Sequence, residues 1–193
     1  MAGTRLLDLS TQKEALQKLA ELTQRATINP LVRNTALKIV RGVDSRDDVG
    51  ELDAIFNAVK YGDPAVAPLA EGFKYVADPR FADYFASPVD NINQCLKGAC
   101  GGDCDDHAGL ICALAGSIGF GTGLRAYGPP DTDGYSHVYA VALLPKRPTP
   151  VYGAHGDVVG FKYKRAVGMD TTVDHSKLGW EPPRGNVLTA WIG

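Results

Sequence analysis

The run Gly101-Gly102-Asp103-Cys104-Asp105-Asp106-His107-Ala108 leads into the most clearly helical segment of the chain. Ala108, Ile111, Ala115 and Ile118 form one apolar stripe, and Leu110 and Leu114 widen it. Gly119 is a natural stop. An apolar face this wide predicts a central buried helix that begins at or near Cys104. The two glycines before it permit a tight turn, with either positive φ or close approach of a substrate. Cys104 then sits at a helix N-terminus, where free amides and the helix dipole favour a thiolate, the reactive form. The same amides suit the oxyanion of a tetrahedral intermediate. Asp103, Asp105 and Asp106 pull the other way. They cap and solvate a helix start, but their charge opposes thiolate formation, so activation by an imidazole matters more.

Two histidines compete as base. His107 lies three residues after Cys104 on the same helix, which restricts its movement between nucleophile and leaving group. His137 opens the strand-like run Ser136-His137-Val138-Tyr139-Ala140-Val141 and can face Cys104 across a cleft. A carboxylate that orients the imidazole completes such a site. Asp170 ends the strand-like run Ala166-Val167-Gly168-Met169 and is the first candidate, with Asp174 as fallback. His155 and His175 lie in loop-like sequence and read as surface residues.

Before this core the chain reads as helical. The segment from about Thr11 to Thr27 is rich in Ala, Leu, Lys, Gln and Glu, with Leu16, Leu19, Ala20 and Thr23 at helical spacing. A second helix starts at Pro30 and stops at Gly42. Leu52, Ile55, Phe56 and Val59 predict a third. Residues Tyr61 to Asn93 carry four prolines and several aromatics, and read as packed loop with short helical turns, either plain cover or a wall of a substrate groove. After Gly119 the period changes. Gly123 to Tyr127, Ser136 to Leu144, Val158 to Tyr163 and Ala166 to Met169 predict strands, separated by the loop Gly128 to Gly134 and the breaker Pro145 to Pro150. The tail with Trp180, Pro182, Pro183 and Trp191 is expected to wrap back over the body.

Composition bounds the rest. With 193 residues, 45% hydrophobic and 22% charged, the chain is of globular type and long enough to bury one core without staples. A net charge of −2 and no basic stripe argue against nucleic acid. No stretch approaches the roughly 20 apolar residues of a membrane span, and the start Met-Ala-Gly-Thr-Arg-Leu-Leu-Asp lacks a secretory apolar run. No membrane partner and a cytoplasmic location, or association with a virion in a phage, are therefore expected. Cys95, Cys100, Cys104 and Cys112 cluster in one segment, poor geometry for a disulfide framework and suggestive of metal binding or catalysis. A structural zinc site of Cys95, Cys100, Cys104 and His107 is a rival, but its spacings lack a paired C-x₂-C knuckle. Cys112 reads as a small core residue.

These residues also carry a resemblance. Gly102 to Leu110 and the helix running into Gly119-Phe120 resemble the nucleophile motif of the transglutaminase-like superfamily. The His137 strand is similar to its histidine strand, and Asp170-Thr171 to its aspartate motif. The order agrees, with His137 33 positions after Cys104 and Asp170 33 positions after His137. Lys74-Tyr75-Val76-Ala77-Asp78-Pro79, followed by Pro88, resembles the approach to the cysteine in small bacterial and phage members. The similarity spans about residues 50 to 182. Tyr139 is the nearest aromatic after the histidine, and Thr171 stands where the family often has proline, which keeps Asp174 in play. For an oxyanion-hole side chain, Gln94 and Asn93 are within sequence reach.

The resemblance implies an α+β, papain-like fold, with the cysteine helix packed on an antiparallel sheet. Residues 1–48 would form a helical N-terminal extension and 49–193 a transglutaminase-like catalytic domain. It implies a Cys104, His137, Asp170 triad. Such a triad would act through an acyl-enzyme, and hydrolysis of amide or peptide bonds is favoured because water as acceptor needs no dedicated site; no cofactor and no metal are expected. Transamidation is the alternative when an amine replaces water. A second alternative is a non-catalytic binding or phage-particle assembly module. The expected partner is a protein or peptide substrate, and the N-terminal helices offer a surface for a further protein partner.

Overall fold

The computed structural model describes residues 9–77, 85–132, 134–155 and 157–192. The first eight residues, Asp78 and Pro79 of the upstream run, and Asp133 of the loop lie outside them. The chain is α+β. Three helices come first: α1 (Leu9–Thr27), α2 (Pro30–Ile39) and α3 (Asp48–Lys60). Each starts and stops where local chemistry dictates. Asn29 caps α2 through Leu31 N at 2.9 Å, with Pro30 in the first turn. Asp47 caps α3 through Gly50 N at 2.9 Å. The second helix ends at Ile39, short of Gly42, which takes a φ of 106° just beyond.

The described parts of the proline-rich stretch, residues 61–77 and 85–93, carry regular elements. They hold a 3-10 turn at Ala67–Leu69, the two-residue strand β1 (Lys74–Tyr75) and the start of helix α4 (Pro88–Leu96). Pro88 does not break α4 because it occupies the first turn, and Ser87 caps it through Asp90 N at 3.2 Å. Strand β2 (Gly101–Gly102) pairs in parallel with β1, and α5 (Cys104–Ser117) follows at once.

The remaining strands are β3 (Thr122–Gly128), β4 (His137–Leu144), β5 (Thr149–Tyr152), β6 (Val158–Lys162), β7 (Arg165–Met169) and β8 (Asn186–Ile192). The main sheet is antiparallel with order β7-β4-β3-β8. β5 and β6 form a separate hairpin. The expected wrapping tail is a sheet strand instead. Its alternation is clear once placed, with Leu188, Ala190 and Ile192 inward and Val187 and Trp191 exposed.

Register explains the core. Met169, Ala140, Leu124 and Ala190 lie in one row across the four strands, and Val167, Ala142, Thr122 and Ile192 in the next. Small residues in these rows let α5 approach closely, and every residue from Asp106 to Ala115 is buried. The opposite side of α5 is covered by α1, α2 and α3. Leu16, Leu19 and Ala20 of α1 belong to the same apolar cluster as Leu114 and Leu124. At Gly116 an added Cβ would lie 2.8 Å from Thr27 Cγ2, so the absent side chain is what lets α1 lie against α5.

Candidate active site

The N-terminus of α5 is set by the β1–β2 contact. Lys74 N donates to Cys100 O at 3.1 Å and Val76 N to Gly102 O at 2.8 Å. Neither Gly101 nor Gly102 has positive φ. Their role is close approach: a Cβ on Gly101 would sit 2.6 Å from Lys74 O, and one on Gly102 would sit 2.3 Å from Asp106 Oδ2. Asp103 caps α5 by accepting from Asp105 N at 3.2 Å. Asp106 has a different task. It is buried, and its Oδ1 accepts from Ala86 N at 3.2 Å and Asn91 Nδ2 at 3.3 Å, joining α4 to α5. Burial, partly offset by Asn91, pushes its carboxyl up to about 6.

Cys104 is half-buried at this helix start and Cys112 is fully enclosed. The other two cysteines are joined as a Cys95–Cys100 disulfide, against the expectation drawn from their clustering. That pairing also removes two of the four ligands of the zinc set. The fourth, His107, is spoken for as well: it is 2% exposed, its Nδ1 lies 2.8 Å from Thr171 Oγ1, and its ring meets Phe73 edge-on at 4.8 Å. Burial pushes His107 down to about 4, which keeps it neutral. Thr171 thus has a partner of its own in His107.

His137 begins β4 and Asp170 follows the last residue of the neighbouring strand β7. His137 Nε2 lies 2.6 Å from Asp170 Oδ2. The other Asp170 oxygen accepts from Thr172 N at 3.0 Å and Thr172 Oγ1 at 2.7 Å. Burial alone would raise Asp170, but His137 and the Thr172 donors outweigh it and hold the carboxyl below its ordinary value. An ionised Asp170 accepts the Nε2 proton, which leaves the lone pair of the neutral ring on Nδ1. Asp174 is exposed and contributes its backbone oxygen to Lys60 instead.

Cys104 and His137 line the same two cavities. One, of about 270 Å³, is completed by Tyr75, Ser136, Thr172 and Val173. The other, of about 330 Å³, opens toward α1. No family model, curated protein or solved structure matches this chain.

The thiol itself is not pre-ionised. Burial pushes Cys104 from 9.0 up to about 12, the Val138 amide and its own amide lower it, and Asp103 and Asp105 add to the rise. The helix N-terminus does not win here, because desolvation and two adjacent carboxylates oppose it. Neither Asn93 nor Gln94 is among the residues described as lining these cavities. Tyr75 lines both, a position the sequence gives only as part of the run upstream of the cysteine. Among the described residues, Asp103, Asp105 and Asp106 are the one group with ligand atoms close enough to share a cation, within 4.8 Å of one another. Asp103 and Asp106 are already spent on the cap and on Asn91. No helix is long and apolar enough to cross a membrane, among the described residues.

Proposed function

We propose that this chain is a cysteine-dependent hydrolase of amide or peptide bonds, of the transglutaminase-like, papain-like class, working through Cys104, His137 and Asp170. The observation that carries this reading is the 2.6 Å contact between His137 Nε2 and the buried Asp170 carboxylate, on an imidazole that shares its cavities with Cys104. The high thiol pKa defines how such a site would work. Cys104 rests as S–H, so its proton must leave as the attack occurs. His137 Nδ1 takes that proton while the sulfur–carbonyl bond forms. The amine departs with the proton, leaving a thioester. Water then attacks, giving its proton back through His137 and releasing the acid and the free thiol. An amine in place of water gives transamidation. Asp170 stays ionised throughout and stabilises the imidazolium.

p-Nitrophenyl acetate tests this, because its good leaving group isolates the acylation step. The expected result is an acetyl group on Cys104, located by peptide mass mapping, with release of nitrophenolate. Cys104→Ala abolishes it, and His137→Ala slows it by about 10²–10⁴-fold, the usual contribution of a positioned base. Acylation of Cys104 at an unchanged rate in His137→Ala would remove the pair from consideration.

A further inference from the structure

The larger cavity beside Cys104 has a wall that the triad does not use. Ala15, Leu16 and Leu19 of α1 form it, facing Ala126 of β3 and Val138 of β4. Its volume of about 330 Å³ is at the lower end of the range for small-molecule sites. The wall is also held in place relative to the base. Gln12 Nε2 donates to Tyr135 O at 3.1 Å, and Tyr135 N donates back to Gln12 Oε1 at 3.0 Å. Tyr135 stands two residues before His137, so α1 and the start of β4 are clamped by a reciprocal pair of hydrogen bonds. Asp103 and Asp105, both half-buried, line the same cavity on either side of Cys104 in the chain, and Tyr75, Phe85, Tyr135 and Ser136 line it as well.

We infer that α1 builds the acyl-side pocket of this site, and that the pocket selects substrates whose acyl group carries an apolar, non-acidic side chain. The inference rests on the Cys104 reading above and adds its substrate class. An aliphatic chain entering this space leaves water for Leu16, Leu19 and Val138, which is favourable in proportion to the apolar area covered. A carboxylate in the same place meets the charges of Asp103 and Asp105 in a partly desolvated setting, where like charges repel more strongly than in water. The helical segment is therefore part of the site's specificity rather than a separate docking extension.

The test uses p-nitrophenyl esters on the full chain, comparing acylation rates of Cys104 with those of N-acetylcysteine. Hexanoate should exceed acetate by about tenfold or more after that correction, since a hydrophobic pocket discriminates by this much for added methylenes. Mono-p-nitrophenyl succinate should fall at least about tenfold below pentanoate, a neutral chain of similar length. Ala15→Phe fills the pocket from the half-buried side of α1 and should bring the hexanoate-to-acetate ratio down to that of N-acetylcysteine. If that variant does not fold, Ala15→Leu tests the same wall with less added volume. A corrected ratio near one in the wild type overturns the pocket while leaving the nucleophile intact. So does a ratio that survives both substitutions, or succinate that reacts as well as pentanoate. A Cys104 that no ester acylates overturns the pocket and the nucleophile together.

Discussion

Asp106 and His107 are neighbours at the start of α5, and the same burial moves them in opposite directions along the pH scale. A carboxyl is neutral when protonated, so enclosure raises Asp106 to about 6; an imidazole is neutral when deprotonated, so enclosure lowers His107 to about 4. The stability that His107 contributes is present above its ordinary 6.5 and is lost as pH falls toward about 4, because only the unfolded chain then binds the proton freely. A shift of this size corresponds to about 3 kcal/mol. Asp106 acts the other way, favouring the fold at low pH and giving that up as pH rises through about 6. The two nearly cancel in the wild type between pH 4 and 6.5. His107→Gln should unmask Asp106: its urea midpoint should rise relative to wild type as pH is lowered from 7 to 4, while Asp106→Asn should show the reverse trend. Parallel pH profiles for all three proteins would contradict the assignment. The side-by-side Asp-His pair is visible in the sequence, but its burial is not, because polar residues in the first turn of a helix are usually solvated.

The element scale is governed by one lysine at the end of α3. Lys60 Nζ donates to Val173 O at 2.7 Å, Asp174 O at 3.1 Å, Ser176 O at 2.8 Å and Ser176 Oγ at 2.8 Å. Ser176 Oγ in turn bonds Asp170 O, and Thr172 holds the Asp170 carboxylate. The whole turn from Asp170 to Ser176 is thus gathered around an ammonium supplied by a distant helix. Lys60→Met keeps the side-chain length and removes the donors. It should cost about 1.5–3 kcal/mol, the usual scale for hydrogen bonds to a charged group. Amide hydrogen exchange at residues 171–176 should accelerate more than at β3, and equal acceleration everywhere would refute the local role. No sequence pattern announces this hub, since three of its four acceptors are main-chain carbonyls that any residue could provide. By contrast α1 and α3 are legible from their apolar spacing, α2 from Pro30 at its start and Gly42 beyond its end, and β4 from Val138, Tyr139 and Val141. Helix α4 hides behind the prolines around it, and β8 hides because its inward residues Leu188 and Ala190 are only partly covered at the sheet edge.

Across the whole molecule, Cys104, His137 and Asp170 come together only when the sheet is complete. His137 opens β4 and Asp170 directly follows β7, its neighbour in the sheet, so a slip of one residue between β4 and β7 would shift Asp170 out of its place beside His137. α1 closes the far side of α5 within the same apolar cluster, so helices and sheet share one core. The motif around Cys104 made the order of the three groups readable, but the enclosure of the thiol depends on non-local packing and was not. That enclosure has an unexpected corollary. A cysteine freed from the fold returns from about 12 toward its ordinary 9.0 and becomes the more acidic thiol. Iodoacetamide, which needs only a thiolate and no acyl chemistry, should therefore label Cys104 faster in denaturing urea than in the native protein, with quantitative mass spectrometry as the readout. Faster labelling of the native state would mean that the fold ionises the sulfur instead. Folding thus acts on Cys104 as a safety catch: it lowers the fraction of reactive thiolate relative to the unfolded chain, and under the function proposed above the proton leaves only to the imidazole of His137.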